Sequence, residues 1–316
     1  MSLRKIGSAI LVIVLVFMSC NNDDGGVTIP EIILRDRAEQ QIVDKDSIDD
    51  YLSSHYFNKS MFEGNTNPKT TDLVITKITD ETISSDADSL LINAVGDPIK
   101  VTFVDVEYEY YVLSLNQGGG DSSPNFADNI LITYEGFTLD NEVFDSAVTP
   151  LTLDLTTLIP GWRKVFPRFN VAESFVENGD GTVSYSNHGA GVMFLPSGLA
   201  YFADARTGIP AYSPLIFKFE LLQSFVNDHD NDGVPSWKED IDGDGEFFLD
   251  PDDLDKEGDD DTDNDRTPDY VDPDDDGDGV PTVNEDWDGD GDPTNDMSPI
   301  NPSLPRYLDP EANDSK

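Results

Sequence analysis

From Asp228 to Lys316 the chain carries 33 acidic and 5 basic side chains, a balance of −28 within a total of −45. A stretch so acidic and so poor in apolar residues cannot bury a conventional core. Its aspartates are not scattered, because they recur at alternate positions of short loops and are often followed by glycine. The block DHDNDGVPSWKEDIDGDG returns as DDDGDGVPTVNEDWDGDG at an offset of 46 residues, which is an internal repeat rather than a bias of composition. Such a segment folds around cations or stays extended. Charge of this sign repels phosphate, so no nucleic acid partner is expected. One cysteine in 316 residues excludes intrachain disulfides and cysteine-based zinc sites. The three histidines, His55, His188 and His229, lie far apart and suggest no His-rich metal cluster.

Two of the loops fit the spacing D-x-D-x-D-G-x5-E. Asp228, Asp230 and Asp232 precede Gly233, with Glu239 at position 12, and Asp274, Asp276 and Asp278 precede Gly279, with Glu285 at position 12. Alternate carboxylates wrap a hard cation in one turn, the glycine permits the sharp bend, and the last carboxylate closes the shell. Three loops vary the theme. They are Asp240, Asp242 and Asp244 with Asp250; Asp261, Asp263 and Asp265 with Asp269 and Asp272; and Asp286, Asp288 and Asp290 with Asp296. The spacing is that of an EF-hand loop, but Pro235, Pro251, Pro273 and Pro281 argue against flanking helices. The region, 228–296, therefore resembles the aspartate repeats of thrombospondin type 3. That resemblance implies Ca2+ as a structural cofactor, with Trp237 and Trp287 as small apolar pegs. Residues 297–316 are expected to form a C-terminal tail.

The N-terminus reads as an address. Arg4 and Lys5 precede an apolar run from Ile10 to Met18, too short for a comfortable membrane span, and Ser19-Cys20 follows. Residues 1–19 resemble a lipoprotein signal peptide with Cys20 as the lipidated residue; the alternative is an uncleaved anchor. The acidic tether within 20–36 resembles that of surface lipoproteins of Bacteroidota. These features predict a cell-envelope, outer-membrane lipoprotein held to the membrane by the lipid on Cys20, with a face exposed outward as a further expectation.

Between these ends, residues 37–107 are predicted to be an accessory segment. An amphipathic helix spans 37–57 with Ile42, Ile48, Leu52 and Tyr56 on its apolar face, and strands follow near 73–78 and 99–106. Residues 108–226 show strand patterns near Tyr108–Leu115, Ile130–Tyr134, Leu151–Leu155, Gly191–Leu195 and Leu215–Leu222. One short helix starts near Gly161. The expected class is α+β with antiparallel strands. Asn178-Gly179-Asp180-Gly181 marks a turn, predicted as a hairpin or extended loop near the pocket.

Six segments of this region, in order, carry a second resemblance: ITYEG at 132–136, VFDS at 143–146, LIPGW at 158–162, LPSGLAY at 195–201, TGIP at 207–210 and PLIFKFELL at 214–222. Together they resemble the FKBP-type peptidyl-prolyl isomerase domain. That resemblance implies a five-stranded antiparallel sheet wrapped on a short helix and isomerisation of X–Pro bonds in proline-containing polypeptide clients, without a catalytic cofactor. By the same resemblance Trp162 is the floor of an aromatic cup, and Tyr134, Phe144, Ile159 and Phe217 are its walls. Tyr201 supplies a hydroxyl to the substrate carbonyl, Asp145 lies beside the twisting amide, Leu158 forms an apolar rim, and Ile209 belongs to the loop above. A wall aromatic usual in the family is missing, with Leu151 offered in its place, and the arginine that pairs with the aspartate is absent, leaving Arg163 and Arg206 as substitutes. A catalytically weak peptide-binding module on a calcium-dependent stalk is the alternative function.

Overall fold

The computed structural model describes residues 34–79, 89–247, 249 and 260–313. The predicted signal segment, Cys20, most of the tether and Asp250 lie outside the described residues.

The order of elements is α1 (Arg37–Ser54), β1 (His55–Phe57), β2 (Ile75–Lys77), α2 (Leu91–Val95), β3 (Ile99–Phe103), β4 (Val106–Asn116), β5 (Asn129–Thr138), β6 (Val143–Asp154), α3 (Pro160–Val165), β7 (Ser174–Glu177), β8 (Val183–Ser186), β9 (Gly189–Leu195) and β10 (Leu215–Phe225). The main sheet is antiparallel throughout, in the order β3-β4-β9-β10-β5-β6. It has six strands where five were expected. The addition is β3, which turns back through Val104 and Asp105, both at positive φ, to pair Ile99 with Tyr110 and Phe103 with Val106. The predicted division between 107 and 108 therefore falls inside β4.

Both faces of this sheet are covered. On one face Tyr108, Tyr110, Ile130, Ile132, Met193, Leu195, Phe217 and Phe219 pack against Trp162, Val165 and Phe166 of α3 and the turn after it. On the other, Tyr111, Leu113, Val192, Phe194 and Ile216 pack against Ile48, Tyr51, Leu52, Phe57, Phe62 and Leu73. Helix α1 and the turns that follow it up to Leu73 thus cover the second face of the sheet. A strand covered on both faces reads as a continuous apolar run, and β9, GAGVMFL, is buried at every position.

Helix α1 ends at Ser54, and its buried face differs from the predicted one. Ile42 is 64% exposed and Tyr56 belongs to β1, whereas Gln40, Gln41 and Asp44 are buried beside Ile48 and Leu52. Asp44 explains the inversion: it accepts hydrogen bonds from the Ser197 amide at 2.7 Å and hydroxyl at 2.6 Å. Burial still pushes its carboxyl above the usual range.

Close packing at α3 depends on glycine. A Cβ on Gly161 would lie 2.5 Å from Leu195 Cδ1 and 3.0 Å from the Leu199 carbonyl. Pro160 opens the helix at its first turn, where its missing amide hydrogen costs nothing. The predicted hairpin forms as β7 and β8, but it lies near the far end of β10, where Tyr185 meets Gln223, and none of its residues lines the cavity described next.

After β10 the described residues form single 3-10 turns at Ser236–Lys238, Asp269–Val271, Thr282–Asn284, Pro293–Asn295 and Arg306–Leu308, with one antiparallel bridge between Met297 and Pro305. Trp237 and Trp287 are not buried pegs; both are at least one-third exposed, and Trp287 lies under the Arg306 guanidinium at 4.4 Å. Val234, Tyr307 and Ala312 are the buried apolar residues instead.

Candidate active site and candidate metal centres

Strands β5, β6 and β10, helix α3 and the loop 201–209 enclose a cavity of about 450 Å3. All nine residues predicted for the cup line it: Tyr134, Phe144, Asp145, Leu158, Ile159, Trp162, Tyr201, Ile209 and Phe217. Their order in sequence is unrelated to their closeness in space; the sheet register assembles them. Phe217 stands opposite Gly136, where a Cβ would come within 2.7 Å of Phe144 and 2.8 Å of Phe217. The glycine lets those two rings meet edge to face at 5.5 Å.

Trp162 is 3% exposed and lies edge-on to Tyr134 and Phe217, each at 5.2 Å, an arrangement that aromatic quadrupoles favour. Its Nε1 is buried without a hydrogen-bond partner. The Tyr134 hydroxyl donates to Asp145 Oδ2 at 2.6 Å, while the Ser146 amide donates to Oδ1 at 2.9 Å. Burial, and then the neighbouring carboxylate, raise the Tyr134 pKa, so the phenol keeps its proton. The Tyr201 hydroxyl has no hydrogen bond to protein among the described residues, and Arg206 lies 5.4 Å from its ring. This is an aromatic recess edged by a few polar groups.

Sequence reasoning missed four lining residues: Leu153, Thr157, Arg206 as a wall, and Thr207. Leu153, not Leu151, lines the cavity. It lies opposite Ile130 and packs on the core. Neither arginine pairs with Asp145. Arg206 pairs with Asp204, and Arg163 turns away to Glu246 while donating to the carbonyls of Thr156 and Leu158 at 3.2 Å each. The loop bearing Ile209 is closed by reciprocal backbone bonds of 2.9 Å between Arg206 and Ile209.

The acidic region meets α3 and the end of β6. Lys164 pairs with Glu246 at 2.9 Å and donates to the carbonyls of Asp244 and Gly245. His229 meets Asp154 at 3.0 Å, and Phe247 stacks on Tyr270 at 4.0 Å.

Five groups of carboxylates in this region have oxygens within 4.8 Å of one another: Asp230, Asp232, Glu239 and Asp275; Asp240, Asp242 and Asp260; Asp261, Asp263 and Asp265; Asp274, Asp276 and Asp278; Asp286, Asp288 and Asp290. Each corresponds to one of the five predicted loops, with Asp260 and Asp275 as additions. Several predicted ligands are not gathered in. Asp228 accepts from the amides of Asn231 and Gly233, and Asp244 from that of Glu246. Asp269 is held by Thr262, Asp272 accepts from Asp274, and Asp296 accepts from Trp287. Glu285 is buried with both oxygens unbonded but stands outside its group.

Burial pushes these carboxyls up, and their neighbours add to it: Glu239 to about 10, Asp230 to about 8, Asp232 to about 6 and Glu285 to about 8. Buried carboxylates with unbonded oxygens fit a divalent cation, and an all-oxygen donor set suits the larger shell of Ca2+.

Comparison with known proteins gives two separate likenesses. The family described as BamM C-terminal matches residues 229–304. The FKBP-type peptidyl-prolyl cis-trans isomerase FkpA of Escherichia coli K12 is 28% identical over 114 residues, which cover 35% of this chain and 36% of that protein. The probable FkpA of Neisseria meningitidis serogroup B is 28% identical over 135 residues, 42% of each chain. The crystal structure of a peptidyl-prolyl cis-trans isomerase from Pseudomonas syringae pv. tomato aligns at 22% identity with a TM-score of 0.30, covering 36% of this chain and 74% of that one. The chain thus spans little more than a third of the length of the E. coli relative. Over that portion it is similar to the FKBP-type peptidyl-prolyl cis-trans isomerases.

Proposed function

We propose that the chain is a peptidyl-prolyl cis-trans isomerase acting on X–Pro bonds of exported or cell-envelope polypeptides, anchored by a lipid on Cys20 and carrying a calcium-binding C-terminal region. The observation that carries this reading is the convergence of nine residues from six separate segments on one recess.

Rotation about an X–Pro bond is slow because the planar amide loses resonance at the twisted state, a barrier of roughly 18–20 kcal/mol. No nucleophile is needed. The proline ring sits on Trp162 between Tyr134, Phe144 and Phe217. This dry recess disfavours the polar planar amide and strengthens whatever donors meet the twisted carbonyl. The unpartnered Tyr201 hydroxyl is the donor. Asp145, fixed by Tyr134 and by the Ser146 amide, faces the amide as it rotates. Leu158 and Ile209 hold the flanking residues of the client.

In the C-terminal region, ions held by the five carboxylate groups neutralise buried charge and take the place of an apolar core. They supply no chemistry to the isomerisation.

Two features favour a second reading, a peptide-binding module of low turnover: Leu153 in place of an aromatic, and the lack of a cation on Asp145 among the described residues. NMR exchange on a short X–Pro peptide, with residues 21–316 in excess calcium, separates the two. Acceleration that falls in Tyr201→Phe and Asp145→Ala supports the isomerase. Peptide shifts without acceleration assign the binding module.

A further inference from the structure

Among the described residues, Glu239 and Asp275 are fully enclosed carboxylates of the C-terminal region, at 0% and 1% exposure, and neither oxygen of either side chain has a hydrogen-bond partner. Asp232 is 1% exposed with Oδ2 unbonded, and Asp230 Oδ2 is also buried and unbonded. These four residues bring an oxygen each to within 4.8 Å of the others. No lysine or arginine forms an ion pair with any of them among the described residues. Four carboxylates held together without a counter-charge are costly to enclose, and an ion of opposite sign at their centre removes that cost.

Their origin in the chain is the unexpected part. Asp230, Asp232 and Glu239 belong to the first copy of the repeat and Asp275 to the second. Asp275 occupies the second position of its own loop, where the alternate-aspartate pattern places no ligand. Its neighbours Asp274 and Asp276 join Asp278 in a different group. One short stretch of backbone therefore serves two groups from successive residues.

We propose that Asp275 closes a buried divalent-cation site opened by Asp230, Asp232 and Glu239, so that one oxygen-ligated ion of the calcium class pins the two repeats together. This deepens, and rests on, the reading of residues 228–296 as calcium-binding. An ion in the shared site fixes the backbone at 274–276 and so prepares the group of Asp274, Asp276 and Asp278 for its own ion. Binding at the two is cooperative.

The test uses residues 21–316, stripped with chelator and titrated with Ca2+, followed by calorimetry and by native mass spectrometry. Asp275→Asn is expected to lower the affinity of at least one step tenfold or more and to flatten the titration. Asp275→Ala is expected to remove one ion from the saturated count. Asp292→Asn, at a side chain outside every group, is expected to change neither. Without metal the sign reverses. Asp275→Asn removes one carboxyl that the metal-free fold encloses without a partner, so the chelated variant is expected to resist protease within 228–285 better than the chelated parent. A residue that merely packs would weaken the region in both conditions. Unchanged count and affinity in both Asp275 variants, with the parent binding calcium, would overturn the shared site and leave the calcium reading standing. No calcium uptake by the parent would overturn both.

Discussion

The sheet and the acidic region solve the same problem by opposite means. In the sheet, stability comes from apolar surface: Phe219 touches Phe166 and Phe169, each at 4.9 Å between ring centroids, and has no exposed area. In the acidic region the residues with no exposed area include Glu239, and the groups around it are carboxylates. One interior excludes water and needs nothing else. The other gathers charge that stays together only if something neutralises it. Burial of a side chain therefore carries no fixed meaning; its sign depends on what surrounds the group.

The largest expected effect comes from taking the neutralising partner away. Chelation at neutral pH should abolish hydrogen-exchange protection across 228–313 while β4, β5, β9 and β10 keep theirs. Equal loss in both regions would mean that the two interiors do not differ in what holds them together.

Protons should replace metal in part. The raised pKa values of Glu239 and Asp275, about 10 and about 11, mean that the folded region binds protons more tightly than the unfolded chain. Metal-free stability from this source is thus present in full below the ordinary carboxylate range, about pH 4, and is lost progressively as the pH rises from there towards those values. Limited proteolysis of the chelated chain should show a more resistant C-terminal region at pH 5 than at pH 8, and the reverse order would refute the assignment.

On the apolar side, Phe219→Ala should cost about 3–5 kcal/mol in urea unfolding of the sheet. It should leave the number of bound ions unchanged, which would show that the two interiors fail separately. The smallest effect concerns chemistry. Tyr201→Phe removes one hydroxyl, about 1.4 kcal/mol of transition-state stabilisation or a tenfold fall in exchange rate, with no change in unfolding.

The cup was the most legible part of the molecule. Its residues sit in short segments whose aromatic and glycine positions are specific, and all nine reach the cavity. Leu153 was harder, because it and Leu151 share one face of β6; the choice depends on where the strand lies against the turn before α3, which alternation does not encode. The polar face of α1 was illegible for a different reason. Asp44 looks solvent-facing until Ser197, 153 residues away, is brought against it. Asp275 and Asp260 escaped notice because spacing within one loop says nothing about a carboxylate arriving from another. Patterns local to the chain were readable, and pairings made by the fold were not.

Arg163 and Lys164 follow directly after the tryptophan of the cup floor, and both reach across to Glu246. The change in composition after Phe225 invites a cut there, yet a fragment ending at that point would strip two cations of their counter-charge one residue from the binding surface. Arg163 also holds the Leu158 carbonyl at the rim. Neither half of the chain is a portable module. Its working boundary runs through side chains and not along the backbone, and any graft of this sheet and its recess onto another protein must bring Glu246, or a carboxylate in its place, along with it.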